Sequence, residues 1–237
     1  MTYSKPYQTT DEGTVTERIL LEEEIVFVER KTTIDAETNA QRQRLAFEDI
    51  TYDHYWTGDG RSYTKLTATD ADTFEQATAD RSGEILERDR SEYVAIIETD
   101  DVDPADRPDR TTDPDRLVHS QLEMAAYEHV RTDSIDGTEV DIYEPTSGWT
   151  TVAPGSDGQA ESMYYEDASG ELAVDADGAL QRSNVTLEGV EAETWGDYLG
   201  ARLGDEGWTV TIEYDRDNEP ADPTPAWVDD LEADAPR

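Results

Sequence analysis

The chain has 237 residues, enough to bury a core in one large domain or two small ones. Its 58 acidic side chains against 19 basic ones leave a formal net charge of -39. That balance excludes sequence-independent nucleic-acid binding and attachment to anionic lipid, both of which need clustered Lys and Arg. There is no cysteine, and no apolar run nears the roughly 18–20 residues of a membrane-spanning helix.

Residues 1–13 are polar, lack an apolar leader core and are expected to be a flexible N-terminal segment. The chain is therefore expected either to be cytoplasmic or to be the mature part of an exported protein. Residues 14–34 form a long first segment containing Ile25, Val26, Phe27 and Val28, and 32–39 read as a turn region. Leu45 and Phe47, then Ile50 and Tyr52, alternate with polar neighbours and change face between the pairs. This predicts a strand over 41–57 with a bulge. Gly58-Asp59-Gly60 is a hairpin turn signal, and 61–67 return as the partner strand. Residues 71–89 carry a helical pattern through Phe74, Ala77, Ile85 and Leu86, interrupted by Gly83, and 92–98 read as a buried strand.

Residues 100–115 are a charged, proline-rich linker ending in Asp113-Pro114, a good helix start. Val118, Leu122, Ala125 and His129 then recur on one helical face, predicting a helix over 114–131. A strand at 138–144 and a Gly- and Pro-rich loop at 145–160 follow. Tyr164 and Tyr165 open another strand, and Asp175-Ala176-Asp177-Gly178 turns it into a partner over 179–187. Trp195, Tyr198, Leu199, Arg202 and Leu203 fit a short helix over 194–203. Trp208, Val210, Ile212 and Tyr214 alternate as a half-buried strand, and Trp227 and Val228 are placed to dock the C-terminal tail.

A low share of Leu, Ile, Val and Phe with high net charge is a signature of disorder. The 12 Tyr, 5 Trp and 3 Phe fall inside periodic apolar patterns, which argues for a fold instead. Strands that follow one another through hairpin turns predict antiparallel pairing. The expectation is an α+β fold, a curved antiparallel sheet (half-barrel) with helices covering its concave face. It would occupy residues 14–230 as a single domain, with 231–237 as a flexible tail.

The only lysines are Lys5, Lys31 and Lys65; the other basic residues are arginines. A carboxylate-rich, lysine-poor chain resembles proteins of extreme halophiles, the haloarchaea above all. At molar salt the Debye length is about 3 Å, so self-repulsion is screened while carboxylates keep the protein hydrated. The layout resembles a second group. Hairpins lead to a central amphipathic helix, then to a Val174-Asp175-x-Asp177-Gly178 turn, then to a Pro225-x-Trp227-Val228 tail. In this it is similar to haloarchaeal surface lipoproteins related to lipoprotein carriers of the LolA/LppX type. The resemblance implies a half-barrel around an apolar cavity with a helical lid. It also implies a leader and a lipid-modified Cys at the extracellular face of the membrane, and neither stands in this sequence.

Motifs for chemistry are few. His54, His119 and His129 form no H-E-x-x-H pattern, and the last two sit ten residues apart on the expected helix, roughly 15 Å along its axis. Asp175-x-Asp177-Gly178 resembles the start of a calcium loop, but Gly178 comes too early and the twelfth position is Thr186. A hairpin turn is the simpler reading, and no metal site or cofactor is expected. The nucleophile motif G-x-S-x-G, the phosphate-binding glycine loops and a distinguishable carboxylate pair are absent. Asn184-Val185-Thr186 matches the glycosylation sequon.

If the sheet is a half-barrel, Trp208, Val210, Ile212 and Tyr214 line its concavity, with Val118, Leu122 and Ala125 on the opposite wall. Such a cavity suits a lipid or isoprenoid. The expected function is a non-enzymatic halophilic surface domain of the lipoprotein type. It would bind an apolar ligand or a cell-envelope protein. The alternative is a structural or interaction subunit of a surface or viral assembly, with its core filled by side chains.

Overall fold

The computed structural model describes residues 13–22, 25–79, 83–99, 118, 121–152, 161–191, 194–195, 199 and 207–234. These residues fall into two compact units. The first contains Glu17–Phe27 and Asp113–Arg216, the second Thr9–Thr16, Val28–Thr112 and Asp217–Arg237, with Met1–Gln8 assigned to the first.

Unit two is a chain of antiparallel hairpins. Its strands are β1 (Gly13–Leu21, shared with unit one), β2 (Ile25–Asp35, also shared), β3 (Ala40–Phe47), β4 (Ile50–Trp56), β5 (Ser62–Ala68), β6 (Glu84–Asp89) and β7 (Val94–Thr99). The hydrogen-bonded order is β6-β7-β5-β4-β3-β2-β1. The turn between β2 and β3 is set by Asp35, whose carboxylate accepts from the backbone N–H of Glu37 and the hydroxyl of Thr38. Helix α1 (Ala71–Ala79) starts at Asp70, whose Oδ1 accepts from the N–H groups of Asp72 and Thr73 at 2.9 and 3.0 Å. This satisfies donors that the first turn of a helix leaves unpaired. The helix buries Phe74 against Leu66, Ala68 and Ala95. Helix α2 (Ala226–Asp234) packs Val228 against Ala40, Tyr55 and Tyr63. Trp227 Nε1 donates to Asp53 Oδ2 at 2.8 Å, and Asp53 also takes a two-pronged bond from Arg42.

Unit one is antiparallel as well. Its strands are β8 (Ala126–Ile135), β9 (Thr138–Thr146), β10 (Gly148–Val152), β11 (Glu161–Asp175), β12 (Leu180–Glu191) and β13 (Trp208–Asp217), in the order β1-β13-β12-β11-β9-β8, with β10 paired to β11. The β11–β12 turn follows from Asp175. Its Oδ1 accepts from the N–H groups of Asp177 and Ala179, its Oδ2 from Gln181, and Gly178 supplies a φ of 86°. The whole carboxylate is spent on closing a hairpin.

The expected α+β half-barrel, with helices covering a concave face, is overturned. Among the described residues strand dominates, and the two bounded helices have nine residues each. A nine-residue helix is about 13 Å long, too short to roof a sheet of this many strands. The order is also open at its ends, since among described residues β6 pairs with β7 alone and β8 with β9 alone.

Local departures from the expectation include a loop expected over 145–160 that holds the end of β9 and all of β10. The helix expected over 114–131 is helical at Val118, Gln121 and Leu122, then ends in a turn closed by Met124 N–H to Gln121 C=O. From Ala126 the chain is β8, an edge strand exposed along most of its length, so no period-two apolar pattern betrays it. The helix expected over 71–89 ends at Ala79, and after Gly83, at φ 127°, the chain becomes β6. The bulged strand expected over 41–57 is two strands, and the change of face is the tight turn at Glu48-Asp49. The linker at 100–115 and His119 lie outside the described residues.

Candidate functional site

The residues expected to line an apolar cavity all belong to unit one. Val118, Leu122 and Ala125 are buried, as are Val210, Ile212 and Tyr214, while Trp208 is half-buried. Alternation along β13 puts Val210, Ile212 and Tyr214 on one face. Tyr165 of β11 joins the two sets. Its hydroxyl donates to the Met124 carbonyl at 2.9 Å, and its ring meets Trp208 edge-on at 5.8 Å. Burial pushes that hydroxyl above its ordinary pKa, so it stays a donor across the physiological range.

The neighbouring Tyr164 points to the other face of β11 and reaches a different group. The β10–β11 register sets Trp149 directly opposite Tyr164. Their rings lie 5.2 Å apart, and Trp195 closes the triangle at 5.5 Å from Trp149 and 5.3 Å from Tyr164. Trp149 is 39% exposed and Trp195 58%. Leu199, four residues beyond Trp195, is exposed too. This cluster went unread in the sequence. Trp149 stands in a segment that looks like a loop, and only strand pairing brings it to Tyr164.

A second feature is a groove of about 380 Å³ across β8, β9, β11 and β12. Ile135, Ile142 and Ala173 contribute its apolar lining. Arg131 and Glu171 pair at 2.8 Å on its wall, Arg182 bonds Asp215 at 3.0 Å, and Asn184 lines it beside them. The Arg131 guanidinium holds the Glu171 carboxyl below its usual value. Asn184 is exposed on β12, between Glu171 of β11 and Glu213 of β13.

The histidines stand apart. His54 lies between Tyr52 and Trp56 in a stack along β4, with Nδ1 bonded to Thr64, in unit two. His129 is on β8, 3.3 Å from Asp141. Among the described residues no three His, Cys, Asp or Glu side chains converge as metal ligands. Among the same residues no helix is long and apolar enough to cross a membrane.

No family model and no curated protein matches the chain. A solved structure of a domain assigned to outer membrane lipoprotein sorting in Vibrio parahaemolyticus is weakly similar. It shares 9% identity and a TM-score of 0.22 over 94% of this chain and 90% of that one. A score of 0.22 lies far below that of two chains sharing a fold.

Proposed function

We propose that the protein is a non-enzymatic domain of the cell surface, of the lipoprotein type and adapted to molar salt, that binds an apolar ligand such as a lipid or isoprenoid. The observation that carries the reading is the aromatic triangle of exposed Trp149 and Trp195 with half-buried Tyr164. Large aromatic rings held in water mark contact surfaces, because covering them releases water from a large apolar area. The rings meet at tilted or edge-on angles of 54–84° rather than stacking flat, which leaves ring faces available. The charge of -39 favours a ligand with no anionic head. Asp35, Asp70 and Asp89 are held low, and so ionised, by hydrogen bonds at two turns and a helix start, where the charge serves folding.

The test is intrinsic fluorescence in molar salt, titrated with a neutral polyisoprenol, on the wild type, Trp195→Ala and Trp208→Phe. The expected result is saturable quenching that weakens at least tenfold in Trp195→Ala and persists in Trp208→Phe. The reverse pattern would move the ligand to the buried face of β13. A flat titration in all three would sink the apolar-ligand reading in favour of an interaction subunit.

A further inference from the structure

The sequon and the groove meet at one residue, and we infer that Asn184 carries an N-linked glycan whose first sugars lie in the groove beside it. The inference rests on the surface reading above, since the modification requires export. Asn184 is exposed although it sits in the middle of β12, and its side chain lines the groove rather than the core. The groove's volume of about 380 Å³ lies in the range of small-molecule sites, roughly 300–1,000 Å³. Gly170 on its wall lets β11 approach the backbone of β12 closely at Asn184. That glycine holds a φ of 100°, and a Cβ there would fall 1.9 Å from the Asn184 carbonyl oxygen, so no side chain fits.

The lining chemistry suits a neutral polyol. Arg131 and Arg182 bring donors, Glu171 and Asp133 bring acceptors, and each arginine is ion-paired, Arg131 with Glu171 and Arg182 with Asp215. That pairing contrasts with a chain that is strongly anionic as a whole. Sugar hydroxyls donate and accept alike, and the apolar lining of Ile142 and Ala173 fits a sugar's C–H face.

The transfer needs a lipid phosphate-linked oligosaccharide as donor and a transferase outside this chain. The anomeric carbon bonds to the Asn184 side-chain nitrogen and its C–O bond to the phosphate breaks. The phosphate leaves with the electron pair, and one amide proton is lost to solvent. In the folded chain the Thr186 hydroxyl, the third element of the sequon, shares a hydrogen bond of 3.0 Å with Thr211 on β13. Transfer therefore precedes the pairing of β12 with β13.

Intact mass of the protein from its native cells is the test, on the wild type, Asn184→Gln and Thr186→Val, together with protease shaving of whole cells. Asn184→Gln changes an exposed side chain, and Thr186→Val keeps the shape of its own. The expected result is a wild-type mass above the polypeptide by at least one sugar residue, an excess missing from both variants, and cleavage by external protease. A bare mass on a shaved protein would overturn the glycan alone. Added mass that survives in Asn184→Gln would overturn the site. A bare protein shielded from protease would bring down the surface reading and the glycan with it.

Discussion

Asp35, Asp70 and Asp89 act alike at two turns and one helix start. Each carboxylate accepts from a backbone N–H two residues on and from a neighbouring hydroxyl, of Thr38, Thr73 and Ser91 respectively. Those bonds favour the charged form and hold all three below the ordinary aspartate value of 3.8. A group lowered in the folded state stabilises fully above its unfolded pKa. Its contribution fades as pH falls through the folded value. The expected outcome is a stability that declines as pH drops from about 4, measured by denaturant midpoints in molar salt. Asp70→Asn should flatten part of that decline and lower the midpoint at pH 7. Only the turn around Asp35 was expected from the sequence, within 32–39; Asp70 and Asp89 lie at the ends of the stretch over 71–89 expected as one helix, although such turns depend on residues only two or three apart. The pairing of Trp149 with Tyr164 was not legible, because fourteen residues and a register lie between them.

The C-terminal helix shows how a short element is fixed. Nine residues form a marginal helix on their own, so α2 depends on what it touches. Val228, Trp227 and Leu231 pack on the Ala40, Tyr55 and Tyr63 cluster, and the Trp227 indole N–H bonds the Asp53 carboxylate. Tyr55 and Thr224 share a further bond just before the helix. Trp227→Phe keeps most of the ring and loses the donor to a charged, buried acceptor, a change worth about 1.5–3 kcal/mol. The expected outcome is faster amide exchange across 226–231, with β5 amides unchanged. Equal acceleration in both would mean that α2 is integral to the core and not a docked element. The docking was foreseeable from Trp227 and Val228 as apolar residues in a polar tail. The partner was not, since Asp53 stands 174 residues away. The reverse happened at β8. Val118 and Leu122 are helical, but Ala125 already lies past the closing turn and His129 in the edge strand, so the helical period was carried too far.

At the scale of the whole molecule, charge governs behaviour. With -39 on 237 residues, carboxylates repel one another over a Debye length of about 10 Å at 0.1 M salt and about 3 Å at 1 M. The ion pairs that the sheets do make, such as Arg44–Glu29 and Arg182–Asp215, draw on only 19 basic residues and sit largely in solvent. Exposed pairs of this kind contribute little, so they cannot offset the repulsion. Circular dichroism is expected to hold at molar salt and to collapse on dilution to about 0.1 M; an unchanged signal would count against adaptation to salt. The sequence by itself determined the charge, the antiparallel hairpins, the Asp175–Gly178 turn and the strand at 208–214. All of these rest on composition or on neighbours a few residues apart. Tertiary structure alone decided that the chain is mostly strand with two short bounded helices among its described residues. It also decided where the aromatic triangle and the groove beside Asn184 form. Edge strands and sheet faces are defined by partners far along the chain, and a local pattern carries no record of them.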